Sequence, residues 1–289
     1  MAVYNKNGSQ CVPYLNNGFP CPFCCDDGGN VVYTQSQSNT VKIMTYNVGQ
    51  WYTGTGARVP TAQKAEYLAL QKNIFDTNDP DIILMQEYLD SWCEDGSPVS
   101  DILTDFSTVK YVTNPQGYIG HAMYSKNIGL SNYVSHTLNG NSGNYPTFET
   151  ALTAINGKIV NIINTHNNYL PQYQQPEIAQ LLSVISNMEY FILCGDFNVN
   201  LSTESTTDEQ YTINIKPFID AGYNVCNCNE EWIPTYFGTS SATDGKFTDN
   251  IITSSNIEIV DLYADTSKLT DGIADKIDHL PLIATLRVN

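Results

Sequence analysis

The stretch FILCGDFNVN, residues 191–200, runs apolar through Cys194, turns on Gly195 and then presents an acid, Asp196, and an amide, Asn198, two positions apart. An apolar run that stops on a glycine reads as a buried strand entering a turn. Taken alone, such an end has a bland explanation, because Asp and Asn close turns by bonding their own backbone. The chain repeats the arrangement, however. KIMTYN closes on Asn47, IILMQE on Glu87 and VNIINTH on His166. Two polar signals follow late, Asp249 in FTDNII and Asp278 with His279 in KIDHLPLI. Strands of one sheet would gather such ends at a single rim, where a rigid scaffold commonly presents chemistry.

Outward from that stretch, strand-like runs alternate with helical ones from about Val41 onward. VKIMTYNV, PDIILMQEY, HAMYS, ETALTAI, KIVNIINTH, DNIITSS, IEIVDLYA and LPLIATLRV read as strands. TAQKAEYLALQKNIFDTND, QPEIAQLLSVISNM and INIKPFIDAGYN read as helices, with Pro176 placed as a first-turn proline. Many strands with interspersed helices predict an α/β fold with sheets covered by helices on their outer faces. Residues 1–39 are rich in Asn, Gly, Ser, Gln and Cys without sustained periodicity, and read as an extension or attachment segment ahead of a domain spanning 40–289.

Composition narrows the function classes. The 289 residues carry 30 acids against 13 bases, a formal charge of −17, and the only arginines are Arg58 and Arg287. A protein that grips a polyanion through many phosphates shows a basic stripe, and this chain has none. The surface charge serves solubility; alternatively, a phosphate substrate is met by a metal cation rather than by arginines. No stretch of about 18 apolar residues predicts a membrane span, and MAVYNKNGSQ lacks the pattern of a secretory signal. Compartment stays open, with a virion and the cytoplasm among the candidates. Cys11, Cys21, Cys24 and Cys25 crowd the first 25 residues; disulfides or free thiols are favoured there over zinc, since a second C-x-x-C or a His pair is missing. Cys194 reads as a small buried hydrophobe.

If the strand ends converge, Glu87, Asp278 and Asn47 are hard oxygen ligands suited to Mg²⁺ or Mn²⁺. His279, paired with a carboxylate for which Asp249 is the candidate, would take a proton from water. Asp196 and Asn198 would orient that water and contact the phosphate, and His166 would donate to developing negative charge.

In order, TYN (45–47), QE (86–87), NTH (164–166), GDFN (195–198), TDNI (248–251) and IDHLP (277–281) resemble the motifs of the endonuclease/exonuclease/phosphatase, or deoxyribonuclease I-like, family. The resemblance spans nearly all of the chain after residue 40. It implies a four-layer α/β sandwich, two packed mixed β-sheets flanked by helices, and a divalent-metal phosphoesterase, here read as a phosphodiesterase. It also implies Glu87 as main metal ligand with Asn47 and Asp278 near the metal. His166, Asp196 and Asn198 would surround the phosphate, and His279 would pair with Asp249 as general base. In some members the GDFN aspartate is argued to be the base. Tyr118 looks like a phosphate-positioning tyrosine of the nuclease branch. Gly120 stands where that branch places an acid to orient its histidine, which leaves Glu149 as a candidate partner for His166. Ile277 replaces the usual Ser.

These features favour a DNA endonuclease. The rivals are a phospholipase C-type sphingomyelinase or other small phosphate-ester hydrolase on the same fold, and a phage-virion or binding module with a relic site. The first eight residues, MAVYNKNG, resemble the start of some phage tail or fibre proteins, which implies particle attachment through residues 1–39. His121 and His136 receive no role.

Overall fold

Between Thr40 and Asn47 the chain alternates: Val41 and Ile43 enter one buried cluster, Met44 and Tyr46 another. A strand buried on both faces sits inside a layered sandwich. The structure, a computed structural model, describes residues 38–49, 61–88, 102–106, 108–113, 120–126, 128–139, 147–237, 245–267 and 278–289, together with four two-residue strands before them. Those four are β1 (Val3–Tyr4) paired with β2 (Gln10–Cys11), and β3 (Cys24–Cys25) paired with β4 (Val31–Val32). Nothing described in residues 1–39 supports particle attachment. The side chains of Cys11, Cys21, Cys24 and Cys25 lie outside the described residues, as does Tyr118.

The sandwich is built from β5 (Thr40–Asn47), α1 (Lys64–Asn78), β6 (Ile82–Tyr88), β7 (Thr108–Thr113), β8 (Gly120–Ser125), β9 (Ser131–Thr137), β10 (Thr147–Ile155) and β11 (Lys158–His166). It continues with α2 (Pro171–Ile185), β12 (Phe191–Asp196), α3 (Glu209–Asn214), α4 (Lys216–Asp220), β13 (Asn224–Val225), β14 (Asp249–Thr253), β15 (Ile257–Ala264) and β16 (Leu282–Val288). Two six-stranded sheets result, ordered β15-β16-β5-β6-β8-β7 and β13-β14-β12-β11-β10-β9. Both are mixed. β5 and β6 run parallel across α1, and β11 and β12 run parallel across α2, while the remaining pairs are antiparallel. A parallel pair needs a crossover, and the helix supplies it.

Three buried clusters fill the spaces between four layers. One joins α1 to the first sheet through Tyr67, Leu70, Ile74, Met44, Tyr46 and Ile83. The second lies between the sheets, with Val41, Ile43, Leu84, Ile162, Ile192 and Ile251. The third joins the second sheet to α2, α3 and α4 through Ile178, Leu181, Phe218, Ile163 and Leu193. Each such aliphatic side chain contributes about 1.5–3 kcal/mol on burial. The two sheets are also fastened by amides: Gln86 Nε2 donates to Asn164 Oδ1 at 2.7 Å, and Asn164 Nδ2 donates to the Met85 carbonyl at 2.9 Å. Among the described residues no helix is long and apolar enough to cross a membrane.

Two sequence expectations need correction. Pro176 is not in the first turn, because α2 starts at Pro171 and Pro176 lies inside it. Its missing N–H leaves the carbonyl of Gln172 without its helical donor. Gln172 is exposed, so water can serve that carbonyl. The helix expected over INIKPFIDAGYN is instead two short ones, α3 and α4, separated at Ile215, with Pro217 in the first turn of α4.

Candidate active site

The register of the second sheet sets the site. His166, Asp196 and Asp249 are Cα partners across β11, β12 and β14, and the next residues on the same face, Asn164 and Cys194 two before and Ile251 two after on the antiparallel strand, point between the sheets. Period-two alternation therefore aims all three polar side chains into the same inter-sheet rim. Gly195 lets β12 lie against β11: a Cβ there would stand 2.0 Å from the Thr165 carbonyl oxygen. Beyond the strand the backbone turns at once. Asn198 has φ 51° and donates its backbone N–H to Asp196 Oδ1 at 2.7 Å, while its side-chain Nδ2 donates to the Asn167 carbonyl at 2.7 Å. Asn tolerates that left-handed conformation better than most residues. The acid and amide two positions apart thus lock each other, one accepting and one turning.

The first sheet supplies the facing groups. Asn47 follows Thr45 on the inner face of β5, and its Nδ2 donates to Asp196 Oδ2 at 2.9 Å and lies 3.4 Å from Glu87 Oε1. Its Oδ1 accepts from the Gly49 N–H at 2.9 Å. Simple alternation would send Glu87 outward with Met85. A bulge between Met85 and Tyr88, with φ 52° at Glu87, turns it toward the rim instead. His279 enters from the segment before β16. Its Nδ1 is 2.8 Å from Asp249 Oδ2, and its Nε2 is 3.6 Å from Asp196 Oδ2; His166 Nε2 is 3.5 Å from that same oxygen.

Burial and charge tune these groups in opposite directions. Burial pushes Glu87 up to about 7, with Asp278 adding to it and His279 and Asn47 opposing. Burial likewise pushes Asp196 up to about 7. For His279, burial works against the charged ring, but Asp249, Asp196 and Asp278 outweigh it and lift the imidazole to about 10. Burial, with His121 and His279, holds His166 well below the ordinary imidazole value, so it is neutral near pH 7. Asp196, Asp249 and His279 offer ligand atoms within 4.8 Å of one another, and this buried group could hold a metal ion. Glu87 and Asp278 offer hard oxygen donors beside it.

Of the residues singled out in the sequence, Asn47, Glu87, His166, Asp196, Asn198, Asp249, Asp278 and His279 meet at this rim. Glu149 does not partner His166. It is bound to His121 Nδ1, and its other oxygen accepts from Thr147 Oγ1 at 2.9 Å. His121 comes from β8 and Glu149 from β10, so this buried pair ties the two sheets one pleat behind His166, whose ring centroid is 6.3 Å from that of His121. The rim opens into a cleft of about 330 Å³ whose walls include Thr248 of the TDNI motif and also Tyr169, Tyr236 and Lys246, none of which the sequence marked. These three sit in turns or irregular segments, where no periodicity signals them. A larger groove of about 620 Å³ along β13 and β15 contains none of the rim residues.

Compared by sequence, neither a family model nor a curated protein matches the chain. Compared by fold, it is similar to an endonuclease/exonuclease/phosphatase from Bacteroides vulgatus, at 15% identity and TM-score 0.64, covering 86% of this chain and 99% of that one. It is similar to the human Nocturnin catalytic domain with bound sulfate, at 16% identity and TM-score 0.62, covering 87% and 96%. It is also similar to D. rerio TDP2 complexed with a single-strand DNA product, at 13% identity and TM-score 0.64, covering 86% and 99%. With two mixed sheets packed face to face and helices outside both, the chain has the endonuclease/exonuclease/phosphatase, deoxyribonuclease I-like fold.

Proposed function

We propose that this protein is a divalent-metal-dependent phosphodiesterase, and specifically a DNA endonuclease. The observation that carries the reading is the buried row His166–Asp196–Asp249, with Asn47 and Glu87 facing it and His279 hydrogen-bonded to Asp249. DNA as substrate draws support from the fold neighbour whose structure holds a single-strand DNA product.

Glu87, with Asp278 and Asn47, would hold Mg²⁺ or Mn²⁺. The fit rests on Glu87: its carboxylate is half-buried at the mouth of the cleft, touched by one long contact from Asn47, and pushed up to about 7, a cost that a bound cation would offset. The Asp249–His279 side is less suited, since its Nδ1 and Oδ2 already share a proton. When bound, the cation supplies Lewis-acid stabilisation to a phosphoryl oxygen. Asp249 fixes the Nδ1–H tautomer of His279, which turns Nε2 toward Asp196 and the cleft. As water attacks phosphorus, its proton passes to that Nε2, the P–O bond to the leaving oxygen breaks, and the leaving oxygen takes a proton from solvent. Asp249 offsets the charge that the imidazolium gains. Asp196, held by Asn47 and by the Asn198 N–H, orients the water. Neutral His166 and the Asn198 side chain donate to the phosphate, and Tyr118 is a further phosphate-positioning candidate.

The test runs plasmid DNA, sphingomyelin and an aryl phosphodiester in parallel with Mg²⁺, Mn²⁺ and EDTA. Metal-dependent nicking of DNA supports the reading. Turnover of sphingomyelin with DNA left intact transfers the site to a lipid hydrolase, and no turnover of any of the three moves a relic virion or binding module to the front.

A further inference from the structure

One wall of the cleft is not used by the hydrolytic chemistry. Tyr169 stands at the rim 62% exposed, yet the turn that carries it is held on every side. The buried Asn168 donates its N–H to Glu177 Oε2 at 2.8 Å, Leu170 donates its N–H to Asn168 Oδ1 at 3.0 Å, and Asn198 Nδ2 holds the Asn167 carbonyl at 2.7 Å. The ring is therefore presented to solvent by a fixed backbone that is bonded to the active-site turn itself. A second tyrosine, Tyr236, lines the same cleft. Its ring packs edge-on against His279 at 5.0 Å, and Lys246 Nζ lies 5.6 Å from its centroid.

The charges of the cleft limit what can sit there. Among the described residues lining it, Lys246 is the one lysine or arginine, and His279 is already paired with Asp249, against the acids Glu87, Asp196 and Asp278. Such a cleft does not hold a strand by neutralising many phosphates. Affinity has to come from elsewhere, and stacking of a base on an aromatic ring supplies it without cations. A base inside a duplex already has both faces covered by its neighbours, and exposing one costs unstacking and unpairing.

We infer that Tyr169 is a stacking platform for the nucleobase adjoining the scissile phosphodiester, and that the substrate is accordingly an unpaired stretch of nucleic acid. The inference rests on the phosphodiesterase reading above and adds the part of the substrate that the site recognises.

The experiment measures steady-state cleavage by wild type, Tyr169→Ala and Tyr169→Phe with Mg²⁺. The substrates are labelled oligothymidylate, the same backbone with baseless tetrahydrofuran units, the thymidylate strand annealed to its complement, and bis(p-nitrophenyl) phosphate. Loss of the ring in Y169A is expected to raise KM on oligothymidylate about 5- to 150-fold, and Y169F, which keeps the ring, recovers most of that loss. On the baseless strand wild type and Y169A behave alike, and wild type cuts the duplex more slowly than the single strand. Equal impairment of Y169A on the baseless strand, no impairment on oligothymidylate, or faster cutting of duplex overturns the inference. Wild type that hydrolyses the aryl diester but none of the strands also overturns it while leaving the phosphodiesterase reading intact; absence of metal-dependent hydrolysis throughout removes both.

Discussion

Asp249 Oδ2 lies 2.8 Å from His279 Nδ1, and the backbone of Asp249 pairs directly with that of Asp196. One antiparallel register thus places an acid behind the imidazole and a second acid before it. The raised proton affinity of His279 follows from this placement, since burial alone would lower it.

That relationship sets the direction of the pH profile. If His279 must be neutral to accept a proton, kcat/KM climbs with pH and its acid limb lies above the ordinary imidazole value of about 6.5. Asp249→Asn removes the largest influence holding the proton on, so the limb moves to lower pH while kcat falls. Rate profiles of the two proteins between pH 5 and 10 check this. A limb that stays in place in D249N contradicts it.

The stability of the metal-free protein should fall as pH rises from about 4 to about 7. Glu87 and Asp196 keep their protons to about 7 in the folded state, whereas ordinary carboxylates release theirs near 4 in the unfolded chain. In that window the folded state binds more protons, so deprotonation favours unfolding. Mg²⁺ or Mn²⁺ binds the ionised form and should raise Tm more at pH 8 than at pH 5. Glu87→Gln should raise the metal-free Tm at pH 8 and lose the metal-induced shift. A Tm that climbs steadily from pH 4 to 7, or an undiminished metal shift in E87Q, would be the contrary result.

The His121–Glu149 pair joins opposite sheets with both side chains at 2% exposure or less. His121→Ala leaves a buried carboxylate without that partner and should cost about 3–5 kcal/mol, read as the change in urea midpoint. His136, part-buried on Thr150 near the far edge of the second sheet, has no carboxylate to strand, and His136→Ala should cost clearly less. Equal losses would mean that the pair contributes packing alone.

Much of the site was legible because its residues follow apolar strands immediately. Asn47, His166 and Asp196 continue the alternation of β5, β11 and β12, so the face they occupy follows from the side-chain period. Glu87 was identified by its place in the motif order, but its direction was not readable, since a bulge and a positive φ reverse what alternation implies. The His121–Glu149 contact spans 28 residues between sheets, and no local pattern encodes it. Pro176 misled because a proline is tolerated inside α2 where the carbonyl it deprives is exposed. Tyr169, Tyr236 and Lys246 lie in turns or irregular segments, where spacing carries no signal.

The most direct measurement is the rate of nicking of supercoiled plasmid by wild type and His279→Ala, each with Mg²⁺ and with EDTA, alongside their unfolding curves. The account predicts nicking by wild type that requires the metal and falls about 10²–10⁴-fold in the folded H279A protein. Nicking that persists in EDTA, or a folded H279A protein that nicks as fast as wild type, would contradict it.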